Sequence, residues 1–175
     1  MTIARSLAIA AMLFAAIASA KEIPDASVID QNGRRLHFYR DLVAQKVVVV
    51  AFFFTECRDA CPVIAYTLSH LQTALGDRLG RDVSLISVSL DPQHDTPATM
   101  ASWAKRHGVK PGWTLVTGQS DDLTRITRAF TGDTARPGLH SIVIYIGNDR
   151  SGEWIRDSGS LSTEHYLDVL ARLSR

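Results

Sequence analysis

Two residues of the 175 carry thiols, and both fall in one short segment, Cys57-Arg58-Asp59-Ala60-Cys61-Pro62. Four positions apart, they share a face if the segment is helical. Two sulfurs at that spacing support two chemistries, exchange between dithiol and disulfide or joint ligation of a soft metal ion. Redox dithiols usually have two residues between the cysteines, and here there are three. Two thiolates suit an ion such as Cu(I) but leave its sphere incomplete, and an imidazole can complete it. A purely structural disulfide is the weakest reading, because so short a loop contributes only ~2 kcal/mol.

The elements around the thiols must position them. Residues 47–54, Val-Val-Val-Val-Ala-Phe-Phe-Phe, are apolar on both faces, as in a central strand covered by helices on each side. Ile64, Leu68, Leu71 and Leu75 then recur at helical spacing. Pro62 suits the first helical position and Gly76 the helix end. A strand therefore delivers both thiols to a helix N-terminus, whose positive end is expected to lower their pKa values.

Upstream, residues 28–38 read as a hairpin around Asn32-Gly33, and residues 39–43 as a short helical turn. Downstream, residues 83–90 form a second buried strand. Thr96-Pro97 starts a helix that ends before Gly108. Residues 113–117 are a strand, and Ser120-Asp121-Asp122 caps a helix carrying Leu123, Ile126 and Phe130. Residues 142–146 and 153–156 form a closing hairpin, and Ser162 opens the last helix. The order predicts an α/β protein with a central mixed sheet, helices on both faces and an N-terminal β-hairpin, the arrangement of the thioredoxin-like fold.

In that arrangement the loop entering the strand at 142–146 faces the thiols, which makes His140 the candidate third ligand. His70 reads as a surface residue and His107 as a cation beside a helix end. His37, His94 and His165 read as solvated. In Asp91-Pro92-Gln93-His94-Asp95-Thr96-Pro97 the paired carboxylates could orient a ligand or a client, but the stronger reading is a loop whose Asp95 and Thr96 satisfy backbone donors at the helix start.

The first twenty residues read as a cleaved secretory signal peptide. Arg5 supplies the positive region, residues 7–17 an uncharged apolar region, and Ala18-Ser19-Ala20 the cleavage site. The uncharged stretch of residues 6–20 is shorter than the ~20 residues a spanning helix needs. The expected product is one periplasmic domain of residues 21–175 without stable membrane insertion. Its 18 basic and 18 acidic residues, after Arg5 leaves the total of 19 and 18, offer no charge for nucleic acid. Export also places the thiols in an oxidising compartment.

Three elements together resemble the Sco/SenC copper-binding proteins that help assemble cytochrome c oxidase. They are residues 54–62 (Phe-Thr-Glu-Cys-Arg-Asp-Ala-Cys-Pro), residues 87–97 (Ser-Val-Ser-Leu-Asp-Pro-Gln-His-Asp-Thr-Pro), and His140-Ser141 before a strand. The resemblance implies a thioredoxin-like fold and makes Cys57, Cys61 and His140 the copper ligands, for Cu(I) and also Cu(II). Leu139 stands where the family usually has an acidic residue. The implied function is a periplasmic metallochaperone that delivers copper to a client such as the copper centre of a cytochrome c oxidase subunit. The alternative is a thiol–disulfide oxidoreductase, with Cys57 and Cys61 as its redox-active pair, that reduces the client's copper-ligand cysteines. Either role implies a thiol reductant partner. A thiol peroxidase would share the fold, but no motif here argues for a peroxide pocket.

Overall fold

In chain order the strands are β1 (Ser27–Asp30), β2 (Arg35–His37), β3 (Val47–Phe53), β4 (Val83–Ser89), β5 (Trp113–Gly118), β6 (Val143–Asn148) and β7 (Glu153–Ser158). The helices are α1 (Ala60–Leu75), α2 (Pro97–Arg106), α3 (Ser120–Thr131) and α4 (Thr163–Leu173). These elements come from a computed structural model that describes residues 22–58, 60–132, 143–158 and 162–175. Residues 1–20 and His140 lie outside the described residues.

The strands form one mixed sheet in the order β2-β1-β5-β4-β3-β6-β7. β3 lies parallel to β4, from Val47 opposite Val83 to Phe53 opposite Ser89, and β4 is parallel to β5. β6 is antiparallel to β3, and β7 to β6. The β1–β2 hairpin joins the far edge by pairing antiparallel with β5. The fold is thioredoxin-like, as the element order implies.

β3 is central because its apolar residues have two cores to enter. Successive side chains of a strand point to opposite faces. Phe53 joins Leu68 and Leu71 of α1, Trp103 of α2 and Tyr166 of α4 on one face. Phe52 joins Phe38, Tyr145, and Ile126 and Phe130 of α3 on the other. Six consecutive buried residues in β3, Val48 through Phe53, follow from cover on both sides.

Two helix starts differ from the sequence expectation. α1 begins by Ala60, so Pro62 sits within the first turn and not at its opening position. The first four N–H groups of a helix have no intrahelical acceptor, so a proline fits anywhere in that turn. α3 is preceded by Gln119 as its N-cap without a side-chain cap bond, and Ser120 is its first helical residue. Asp121 and Asp122 then favour the positive helix end by charge. Among the described residues, no helix is long and apolar enough to cross a membrane.

Candidate metal centre

The thiols lie beyond the carboxyl end of β3, where open α/β sheets gather their chemistry. Cys57 closes a tight turn, its N–H donating to the Phe54 carbonyl at 3.2 Å. The Cys61 N–H then donates to Cys57 Sγ at 3.2 Å. That N–H is one of the first-turn donors with no helical acceptor. Cys57 thus does the work of an N-cap, with sulfur where serine or threonine would place oxygen. The local chain folds this way because β3 ends one residue before Phe54 and α1 must begin within a few residues.

The pair is asymmetric. Cys57 is half-buried at the rim, whereas Cys61 is buried within the core formed by α1, α2 and α4. Burial pushes the Cys61 thiol above its ordinary value, and the hydrogen bond with Cys57 adds to the rise. The nearby charges of Cys57 and Asp95 act in the same direction, while a backbone hydrogen bond with Phe54 opposes them. The expected lowering by the helix N-terminus is therefore overturned at Cys61. Removal of a buried thiolate from water outweighs the partial charge of one helix end.

The loop after β4 docks against the loop that carries Cys57. Asp95 is fully buried, and its Oδ1 accepts the Thr55 N–H at 2.9 Å and the Thr55 hydroxyl at 2.6 Å. Its Oδ2 accepts the Ser89 hydroxyl at 2.5 Å. Thr96 caps α2 as expected, accepting the Thr99 N–H at 3.2 Å. The expectation fails for Asp95, which satisfies a backbone donor 40 residues away in sequence and not one at its own helix start. Sequence reasoning missed this because only the parallel register of β3 and β4 brings the two loops level. The one available signal was a carboxylate immediately beside a residue already sufficient as a cap.

The described histidines each have another partner. His107 stacks on Trp103 at 4.1 Å between ring centroids, and burial pushes its pKa down. Its ring packs on the indole face, and burial favours its neutral form over the expected helix-end cation. His70 is exposed and stacks on Tyr66 at 4.2 Å. His94 Nδ1 lies 2.8 Å from Asp91, whose hydrogen bond and charge push the imidazole pKa up. His165 Nε2 lies 2.7 Å from Asp157, and His37 Nδ1 3.6 Å from Asp25. These three sit at partly or largely exposed positions as expected, each beside a carboxylate. Among the described residues, no group of three His, Cys, Asp or Glu side chains is arranged to hold a metal ion. The structure therefore brings Cys57 and Cys61 together, and the expected third ligand, His140, lies outside the described residues.

Comparison with known proteins places this geometry among relatives. The profile of the SCO1/SenC family matches residues 16–141. A Stutzerimonas stutzeri protein named for copper binding is 25% identical over 126 residues, covering 70% of this chain and 60% of that protein. The chain thus spans about three fifths of that relative's length. A SCO1/SenC family lipoprotein from Bacillus anthracis superposes with a TM-score of 0.72 at 22% identity, covering 88% of this chain and 95% of its own. Bradyrhizobium japonicum ScoI, solved with copper bound, gives a TM-score of 0.69 at 24% identity, covering 87% and 99%. At these identities the structural likeness speaks for the fold.

Proposed function

This chain belongs to the SCO1/SenC family, and from that membership we propose that it is an exported copper-binding chaperone. In this reading residues 1–20 are a signal peptide removed on export, and residues 21–175 work in the periplasm. Cys57, Cys61 and His140 hold copper and pass it to a client, such as the copper centre of cytochrome c oxidase, by exchange of ligands. The observation that carries the reading is the Cys61 N–H bond to Cys57 Sγ, which together with the hydrogen bond between the two thiol side chains sets the pair at one helix start. Copper binding in a named relative and in the Bradyrhizobium structure supports the choice of metal.

The donor set fits the cargo. Two thiolates favour Cu(I), and a neutral imidazole is an acceptable third donor. In this reading His140, which the resemblance to the family's motifs makes the third ligand, supplies it. Ligation must strip the proton from Cys61, whose burial favours the neutral thiol. Copper affinity should therefore rise with pH across the neutral range.

The unequal exposure of the thiols favours a second reading, a thiol–disulfide oxidoreductase. Cys57 at the rim would attack a client disulfide and Cys61 from within would resolve the mixed disulfide. The two roles separate in His140→Ala, measured on the reduced chain of residues 21–175. The chaperone reading expects copper affinity to fall by at least about 10–100-fold, as loss of a ligand or its partner does, with the glutathione equilibrium unchanged. Unchanged copper affinity, together with continued exchange against a client-derived dithiol, would move the assignment to the oxidoreductase.

A further inference from the structure

Asp95 is a buried carboxylate that α2 does not need as a cap, and besides holding Ser89, whose oxygen accepts the Asp91 N–H at 3.0 Å, it reaches across to the thiol loop. Thr96 caps α2, and the Asp91 carbonyl already accepts the N–H groups of His94 and Asp95, at 3.1 and 2.8 Å. Burying a carboxylate is costly unless donors replace the lost water. Here the Thr55 N–H, the Thr55 hydroxyl and the Ser89 hydroxyl replace it. The two donors on Oδ1 both come from Thr55, two residues before Cys57. The intervening chain is held as well, because the Cys57 N–H closes on the Phe54 carbonyl.

We propose that Asp95 is a positioning residue for the dithiol: through Thr55 it fixes the turn that carries Cys57, so that Cys57 Sγ stays against the Cys61 N–H and the sulfurs meet as a preformed pair. This rests on the reading of Cys57 and Cys61 as a working pair. A fixed pair has a higher effective concentration of one thiol for the other. In the reaction with glutathione disulfide, one sulfur–sulfur bond forms between Cys57 and Cys61. The two electrons and two protons they give up break the glutathione disulfide into two thiols.

The test equilibrates residues 21–175 with glutathione redox buffers at fixed pH and reads the fraction of protein disulfide. A Cu(I) competition is run on the same variants. Asp95→Asn should lower the constant for disulfide formation about tenfold, which is about 30 mV toward a more oxidising couple. Copper affinity should fall by about tenfold as well. Thr55→Val, which keeps the N–H, should move both quantities the same way by about threefold. The double variant should add little to Asp95→Asn, because both substitutions weaken the same Asp95–Thr55 contact, one by removing the carboxylate charge and the other the hydroxyl donor. Ser89→Ala removes the donor on the other oxygen and leaves both Thr55 bonds in place, so it should move both quantities by less than Thr55→Val does.

A merely structural carboxylate would lower the unfolding midpoint and leave the redox constant alone. Values within twofold of wild type in both Asp95→Asn and Thr55→Val would overturn the proposal. Should Asp95→Asn fail to fold, Thr55→Val decides the matter, since it removes only one hydroxyl. A wild type that neither cycles nor binds copper would overturn the functional reading and this proposal together. A functional wild type matched by its variants overturns this proposal alone.

Discussion

β3 and β4 end level with one another, Phe53 opposite Ser89, and each hands the chain to a helix with a proline in its first turn. The two helix starts solve the same problem with different atoms. At α2 the cap is Thr96 Oγ1, which accepts the Thr99 N–H at 3.2 Å. At α1 the corresponding acceptor is Cys57 Sγ, bonded to the Cys61 N–H, also at 3.2 Å. Oxygen is the better acceptor, and the threonine cap is spent on stability. Sulfur is the weaker acceptor, but it is a nucleophile and a soft ligand. At this end of the sheet a reactive atom occupies an ordinary capping position.

The sharpest break of that comparison is Cys57→Ser, which turns the first start into the second. Copper binding and disulfide formation should both disappear in a Cu(I) competition and a glutathione equilibration. Serine caps well, so the thermal midpoint should change by no more than about 2–4 °C for a domain of this size. Large destabilisation with copper binding intact would mean that the sulfur matters for structure and not for chemistry.

A second expectation sharpens the asymmetry within the pair. In the reduced protein at pH 8, alkylation should reach Cys57 before Cys61 by at least about tenfold, since each unit of pKa elevation removes about tenfold of the thiolate. Peptide mapping over time reads this order, and equal rates would contradict the burial of Cys61. The linked effect on stability follows from the direction of the shift. The folded state holds the Cys61 proton more firmly than the unfolded chain. That contribution is complete below the ordinary thiol value of 9.0 and is lost as pH rises through the elevated folded value.

The smallest effect belongs to the second helix start. Thr96→Ala should cost ~1 kcal/mol of stability, or about 2–4 °C in the unfolding midpoint. Copper affinity should stay within about twofold of wild type, because the cap acts on α2 and not on the thiol turn. A loss of copper affinity beyond about tenfold would show that α2 itself holds the thiol loop in place.

Much of this architecture was legible because it is local. The apolar run through β3, the helical spacing after Pro62 and the Thr96-Pro97 start each declare themselves within a few residues. So did the convergence of Cys57 and Cys61, which needs only a helix start between them. What escaped is what the sheet assembles. Asp95 meets Thr55 through the register of two parallel strands, and no periodicity encodes that contact. The rise at Cys61 depends on cover by three helices, whereas the sequence shows only a helix N-terminus. His107 beside Gly108 looked like a cation, yet Trp103 one turn earlier offers a face on which its ring packs, and burial there lowers its pKa. Gln119 became the N-cap of α3 because that helix takes Ser120 into its first turn.

The central claim is that the paired thiols, and not the fold around them, hold copper. Anaerobic titration of residues 21–175 with Cu(I), in the reduced and in the disulfide state, tests it most directly. The account predicts one tightly bound copper per reduced chain and none in the disulfide state. Equal copper binding in both states, or none in either, would contradict it.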